Sequence, residues 1–162
     1  STQGVSSAAS DVYKRQDVNR STFYAHYTSI EDLLHDIEDE TMAWVTAALD
    51  QLLAQPDSAG IEHVIERICQ YIADNRKHLQ VLMSPKADIG FQQQLLGLIY
   101  SRQTVAEQLQ PAANDPVEAQ MRMRFAVSGS IGLLQYWLAT DLAASPESVA
   151  HTIFTMGMPV SQ

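Results

Sequence analysis

Three observations predict an all-α fold. Beyond residue 17, apolar residues recur three and four apart, the spacing of one face of a helix. Period-2 alternation and Asn-Gly or Asp-Gly hairpin turns are absent. Most of the periodic runs are introduced by a helix-starting signal: Ser29, Asp88, Asp115-Pro116 or Ser145-Pro146. The chain has 162 residues, of which 46% are hydrophobic and 18% charged. That suits one compact domain, or a small one joined to a larger, with a hydrophobic core of its own.

Residues 1–16 are rich in Ser and Ala, with Val5, Val12 and Tyr13 as their sizeable apolar groups, and supply no packed element. A short helix is expected at about residues 20–26. The next, about 30–54, is capped by Ser29 with Asp32 three residues on, a variant of the capping box. Its apolar stripe is Ile30, Leu33, Leu34, Ile37, Trp44, Val45, Ala48 and Leu52, and the acids of its opening turns suit the positive end of the helix dipole. After Gln55-Pro56-Asp57-Ser58, a third helix carries Ile61, Val64, Ile65, Ile68, Cys69 and Ile72 up to Asn75. A shorter helix covers about 76–83, before Ser84-Pro85. Asp88 caps a helix bearing Phe91, Leu95, Leu98, Ile99, Val105 and Leu109, which is expected to run up to Pro111. Proline at the first helical position, where its missing N–H costs nothing, starts helices at about 116–140 and 146–157.

Net charge is −9, which argues against non-specific coating of nucleic acid or an anionic membrane, since both need a positive surface. The longest uncharged stretch, residues 125–140, is shorter than the roughly 20 apolar residues of a spanning helix, and no secretion signal opens the sequence. One cysteine, Cys69, excludes an intrachain disulfide framework, fits a reducing cytoplasm and is read as a core thiol. His63 and Glu66 have metal-ligand spacing but no third ligand, and His35, His78 and His151 stand isolated. With no phosphate loop, nucleophile elbow or Cys-x-x-Cys, neither a catalytic residue nor a metal or other cofactor is expected, and the protein is read as not an enzyme.

Past Arg124 the 116–140 helix is apolar nearly all round. Two arrangements account for this: burial inside one chain, or a subunit interface. The interface is preferred because so small a chain cannot surround a 25-residue helix, and Gly129 and Gly132 would let another backbone come close.

Residues 14–27 are net +2 in this acidic chain, and they combine Lys14, Arg15 and Arg20 with Ser21, Thr22, Tyr24, His26 and Tyr27. Hydroxyls, phenols and arginine bind phosphate oxygens, and the start of a recognition helix reaches base edges. The run Val18-Asn19-Arg20-Ser21-Thr22-Phe23-Tyr24-Ala25-His26-Tyr27, followed by Glu31-Asp32-Leu33-Leu34, closely resembles the recognition helix and the start of the fourth helix of TetR/AcrR-family transcriptional regulators. Farther on, Asn75-Arg76-Lys77-His78-Leu79, Leu82-Met83, Phe91, Gly129-Ser130-Ile131-Gly132-Leu133-Leu134-Gln135-Tyr136-Trp137-Leu138 and Ser145-Pro146-Glu147 are similar to the C-terminal domain of one TetR subfamily. The resemblance covers residues 18–157.

What the resemblance implies is a homodimeric, cytoplasmic helical regulator, a repressor that binds operator DNA and is released by a small-molecule effector. Arg20, Ser21, Thr22, Tyr24, His26 and Tyr27 would form the DNA-binding surface, with Phe23 and Tyr27 also packing the helix on its neighbours. Phe125, Gly129, Ile131, Gly132, Leu134, Trp137, Ile153 and Phe154 would form the dimer interface. Trp44, Ile68, Tyr71, Met83, Phe91, Leu95 and Phe125 would line the effector pocket. Ile30 stands where the family usually has a phosphate-binding Lys. The expected domains are a non-native or disordered leader at 1–17, a partial helix-turn-helix domain at 18–45, and a ligand-binding and dimerisation domain at 46–162. Residues 7–16 resemble translated adapter sequence, and the two helices that should support the recognition helix are missing, so the chain is expected to be a regulator truncated inside its DNA-binding domain. A stand-alone helical dimer that binds a small molecule or partner protein without touching DNA is the alternative.

Overall fold

The first-turn N–H groups of a helix have no partner within the helix, and five of the six helices among the described residues of the computed structural model satisfy one with the side chain ahead of them. The structure describes residues 29–84, 88–102 and 115–157. Helix α1 is Ile30–Leu53, and the Ser29 hydroxyl accepts from the Asp32 N–H at 3.1 Å. Asp57 accepts from the Gly60 N–H at 2.8 Å at the head of α2, Ser58–Asp74. Asp88 does the same for Gly90 at 2.9 Å in α4, Ile89–Ser101, and Asp115 for Val117 at 3.0 Å in α5, Pro116–Ala139. Ser145 accepts from the Ser148 N–H at 3.1 Å in α6, Pro146–Gly157. The exception is α3, Arg76–Leu82, where the Asn75 side chain donates back to the Tyr71 carbonyl at 2.9 Å and so closes α2 instead. Among the described residues no strand occurs, and the fold is all-α.

One expected boundary moves. The helix foreseen from Asp88 to the edge of Pro111 ends at Ser101, because Arg102 leaves helical geometry (φ −79°, ψ 80°) and its guanidinium reaches Asp50 on α1 at 2.6 Å. Val105 and Leu109 lie outside the described residues, as do the leader and the short helix expected at 20–26.

The main core gathers Leu34 and Ile37 of α1, the Ile61–Ile65–Cys69–Ile72 stripe of α2, Leu79 and Leu82 of α3, Phe91 of α4, Trp137 and Leu138 of α5, and Val149 and Ala150 of α6. Helix α6 packs along α2 and runs back antiparallel to α5: its far end, Gly157, stands beside Ala126, where an added Cβ would lie 3.8 Å from the alanine methyl. A second, smaller cluster of Met123 and Val127 with Leu96, Ile99 and Tyr100 joins α5 to α4. The α5–α6 turn puts Asp141 (φ 56°) and Leu142 (φ 60°) in the left-handed region. It is held by the Leu142 N–H donating to the Trp137 carbonyl at 3.0 Å and by the Trp137 indole N–H donating to the Ala144 carbonyl at 2.9 Å. No helix among the described residues is long and apolar enough to cross a membrane.

Candidate functional site

Two regions of the described structure collect the side chains expected to act. The first is the outer face of α5. Four large apolar side chains stand in solvent there: Val117 (64% exposed), Met121 (61%), Phe125 (78%) and Tyr136 (67%). They follow one another at helical spacing, with Gly129 and Gly132 exposed between Phe125 and Tyr136. A Cβ built on either glycine meets nothing within 4 Å among the described residues, so neither is required by the packing there. Residues 125–140 carry no charge. An exposed helix of a monomer ordinarily shows a polar face, and contiguous apolar exposure of this kind marks an interaction surface. On α6, Met156, the residue before Gly157, is also exposed (76%).

The other residues expected at a subunit interface lie deeper. Ile131 is half-buried against Met123 and Val127, while Leu134, Ile153 and Phe154 are half-buried against the main core. Trp137 is only 2% exposed and belongs to the chain's own core, which corrects its assignment to the interface: an indole already enclosed by α5 and the α5–α6 turn has no surface left for a partner. Val117, Met121, Tyr136 and Met156, absent from the sequence-based set, take the exposed positions. The signal for three of them was present, since 117, 121, 125, 129, 132 and 136 fall on one helical face.

The second region lies between α1, α2, α3 and α4. Trp44 and Tyr71 stack, with ring centroids 3.7 Å apart and planes 8° from parallel. Ile68 and Met83 are half-buried around the main core, and Phe91 and Leu95 are buried on α4. Phe125, expected in the same pocket, stands instead on the solvent face of α5. This corrects that assignment, because a side chain 78% exposed on α5 does not line the interior of α1–α4.

Three titratable groups on α1, α2 and α3 are shifted here. Glu38 Oε1 is buried without a hydrogen-bond partner among the described residues, and burial, then the neighbouring Asp88 carboxylate, push the Glu38 carboxyl above its usual range. Burial raises the Tyr71 phenol, with Glu40 adding to it. Burial also lowers the His78 imidazole, against an opposing pull from Glu40. His151 pairs with Glu62 of α2 at 2.9 Å. That partner is far away in sequence, which spacing along one helix does not reveal. His63 and Glu66 are an exposed pair 4.0 Å apart, and no cluster of three or more metal-ligating side chains occurs among the described residues. Cys69 is fully buried, with its thiol pushed up to about 12 by burial and then by Glu66, as a core thiol should be.

The lowered His78 has a measurable consequence. Below about pH 6.5 the unfolded chain protonates this histidine while the folded chain resists, so folding stability falls as the pH drops from 6.5 through the lowered value. Glu38 acts in the opposite sense: the folded chain holds its proton above the unfolded value of 4.5, so its contribution declines as the pH rises. Urea unfolding of His78→Gln between pH 7.5 and 5 should show a shallower loss of stability on acidification than the parent chain. An unchanged slope would remove His78 as its cause.

Arg20, Ser21, Thr22, Tyr24, His26 and Tyr27 lie outside the described residues. The family model for a transcriptional regulator C-terminal region of the TetR type matches residues 60–158, which takes in nearly all of α2 and the whole of α3, α4, α5 and α6. No curated protein and no solved structure matches the chain.

Proposed function

The chain belongs to the TetR family of transcriptional regulators, and on that premise we propose that it acts as a homodimeric repressor that binds operator DNA and lets go when a small molecule enters its C-terminal domain. The domain division that goes with this reading places DNA contacts in residues 18–45 and effector binding and dimerisation in 46–162. Arg20, Ser21, Thr22, Tyr24, His26 and Tyr27 are the proposed contacts to phosphates and base edges, by their resemblance to the family's recognition helix. Trp44, Ile68, Tyr71, Met83, Phe91 and Leu95 are the proposed surroundings of the effector.

The observation that supports this reading most is the outer face of α5. Four large apolar side chains on one uncovered stripe call for a second copy, and a two-fold dimer is what reading two half-sites about a helical turn apart requires. Helix α1 extends from the proposed DNA-binding segment into the core at Leu34 and Ile37, so a change around Trp44 and Tyr71 has a rigid element through which to act. No enzymatic step enters the reading.

Fluorescence anisotropy with DNA fragments from the flanks of its own gene tests it, using the product of the complete gene. One fragment should bind specifically, and log K should fall linearly with log salt concentration as phosphate contacts release counterions. A stable dimer that binds none of these fragments at low salt would overturn operator binding and leave a helical dimer acting on a small molecule or partner protein.

A further inference from the structure

The spacing of the exposed residues on α5 carries more than the fact of a dimer. Phe125, Gly129, Gly132 and Tyr136 lie within about 60° of one another around the helix axis. The midpoint between the two glycines falls between Ser130 and Ile131, and so does the midpoint between Phe125 and Tyr136. Large exposed side chains thus stand at equal distances on either side of an exposed small pair that no described residue fills.

A two-fold axis perpendicular to a helix pairs each residue with the one equidistant on the other side of the axis, whereas an axis along the helix pairs each residue with itself. Only the perpendicular axis requires the large pair and the small pair to share one midpoint. Where two helices cross, their backbones are closest at the axis and diverge on either side. Glycines at the centre allow that approach, and rings farther out fill the widening gap. An antiparallel crossing also opposes the two helix dipoles. Covering Val117, Met121, Phe125 and Tyr136 on both copies removes on the order of 1,000 Å² from water, which is where specific interfaces begin. With no charge in residues 125–140, the central contact needs no ionic partner.

Resting on the dimer reading above, we propose that α5 crosses the α5 of a second copy antiparallel, with the two-fold axis passing between Ser130 and Ile131. Phe125 then packs on the partner's Tyr136, and Gly129 meets the partner's Gly132.

Cysteine cross-linking tests the register. Phe125→Cys and Tyr136→Cys are both made at exposed positions, and the native Cys69 is fully buried. Positions 125 and 136 are about 16 Å apart along a helix, and a disulfide needs Cα atoms within about 7 Å. Under mild oxidation the mixture of the two variants should give a covalent dimer, and neither variant alone should. If dissociation by the substitutions is seen in sedimentation velocity, the mixture of Gly129→Cys and Gly132→Cys tests instead whether the two helices cross at the small pair, since these positions, about 4.5 Å apart along the helix, are all within disulfide reach of the axis. Efficient self-cross-linking of Phe125→Cys alone would mean an axis along the helix and would overturn the register. Dimers that sediment as such, yet cross-link in neither mixture, would also overturn it while leaving the dimer intact. A parent chain that sediments as a monomer at micromolar concentration would overturn the dimer reading and the register with it.

Discussion

Replacing Trp137 with alanine should destabilise the folded subunit by about 3–5 kcal/mol. That is a large part of the total stability of a domain this size. The indole is enclosed where α5 meets the α5–α6 turn, in a core shared with Leu82 of α3 and with Val149 and Ala150 of α6. Its N–H donates to the Ala144 carbonyl, and its own carbonyl accepts from both the Leu142 N–H and the Thr140 hydroxyl. Truncation would open a cavity and release the side-chain tie that holds the left-handed Asp141–Leu142 turn in place. Trp137→Phe keeps most of the volume but leaves the Ala144 carbonyl without its donor, so a smaller loss of about 1–2 kcal/mol is expected. Urea denaturation followed by circular dichroism measures both. A loss under 1 kcal/mol for Trp137→Ala would show that the turn and the α5–α6 packing hold without the ring.

This residue also shows how far the sequence could be read. Caps and apolar periodicity located α1, α5 and α6 to within a residue or so at each end, because a cap is local chemistry and a helical face repeats within the helix. The end of α4 was not legible: apolar spacing continues through Val105 and Leu109, while the helix stops where Arg102 turns to Asp50, a partner on another helix. The all-round apolar character of α5 posed a similar limit. The sequence showed apolar residues nearly all round without saying which faced the chain's own core. Trp137, Met123 and Val127 proved to be inside and Phe125 and Tyr136 outside, a choice made by where α6 and α4 dock. Thr41 is a smaller case, a polar residue on the buried face of α1, admitted because its hydroxyl donates to the Ile37 carbonyl at 2.7 Å. The Trp44–Tyr71 stack joins two helices, and neither helix alone announces it.

Phe125→Glu should weaken self-association at least 100-fold while leaving the subunit folded. The side chain is 78% exposed, so within one chain the substitution removes little packing. In a two-fold dimer it acts twice. Each buried phenylalanine contributes about 1.5–3 kcal/mol, so two lost contacts come to about 3–6 kcal/mol, and each 1.4 kcal/mol is a tenfold change in the dissociation constant. Desolvating two carboxylates against the partner's apolar face adds to the loss. Sedimentation velocity at micromolar concentration should find a monomer with the parent's helical circular dichroism signal. Ile131→Glu provides the contrast: Ile131 is half-buried against Met123 and Val127 in the α4–α5 contact, so a charge there should lower the unfolding midpoint of the subunit itself. On the proposed reading as an operator-binding dimer, operator affinity should follow the dimer, because a monomer offers one recognition element to a site with two halves. A Phe125→Glu chain that remains dimeric at these concentrations would move the contact off this face of α5, whatever else the protein binds.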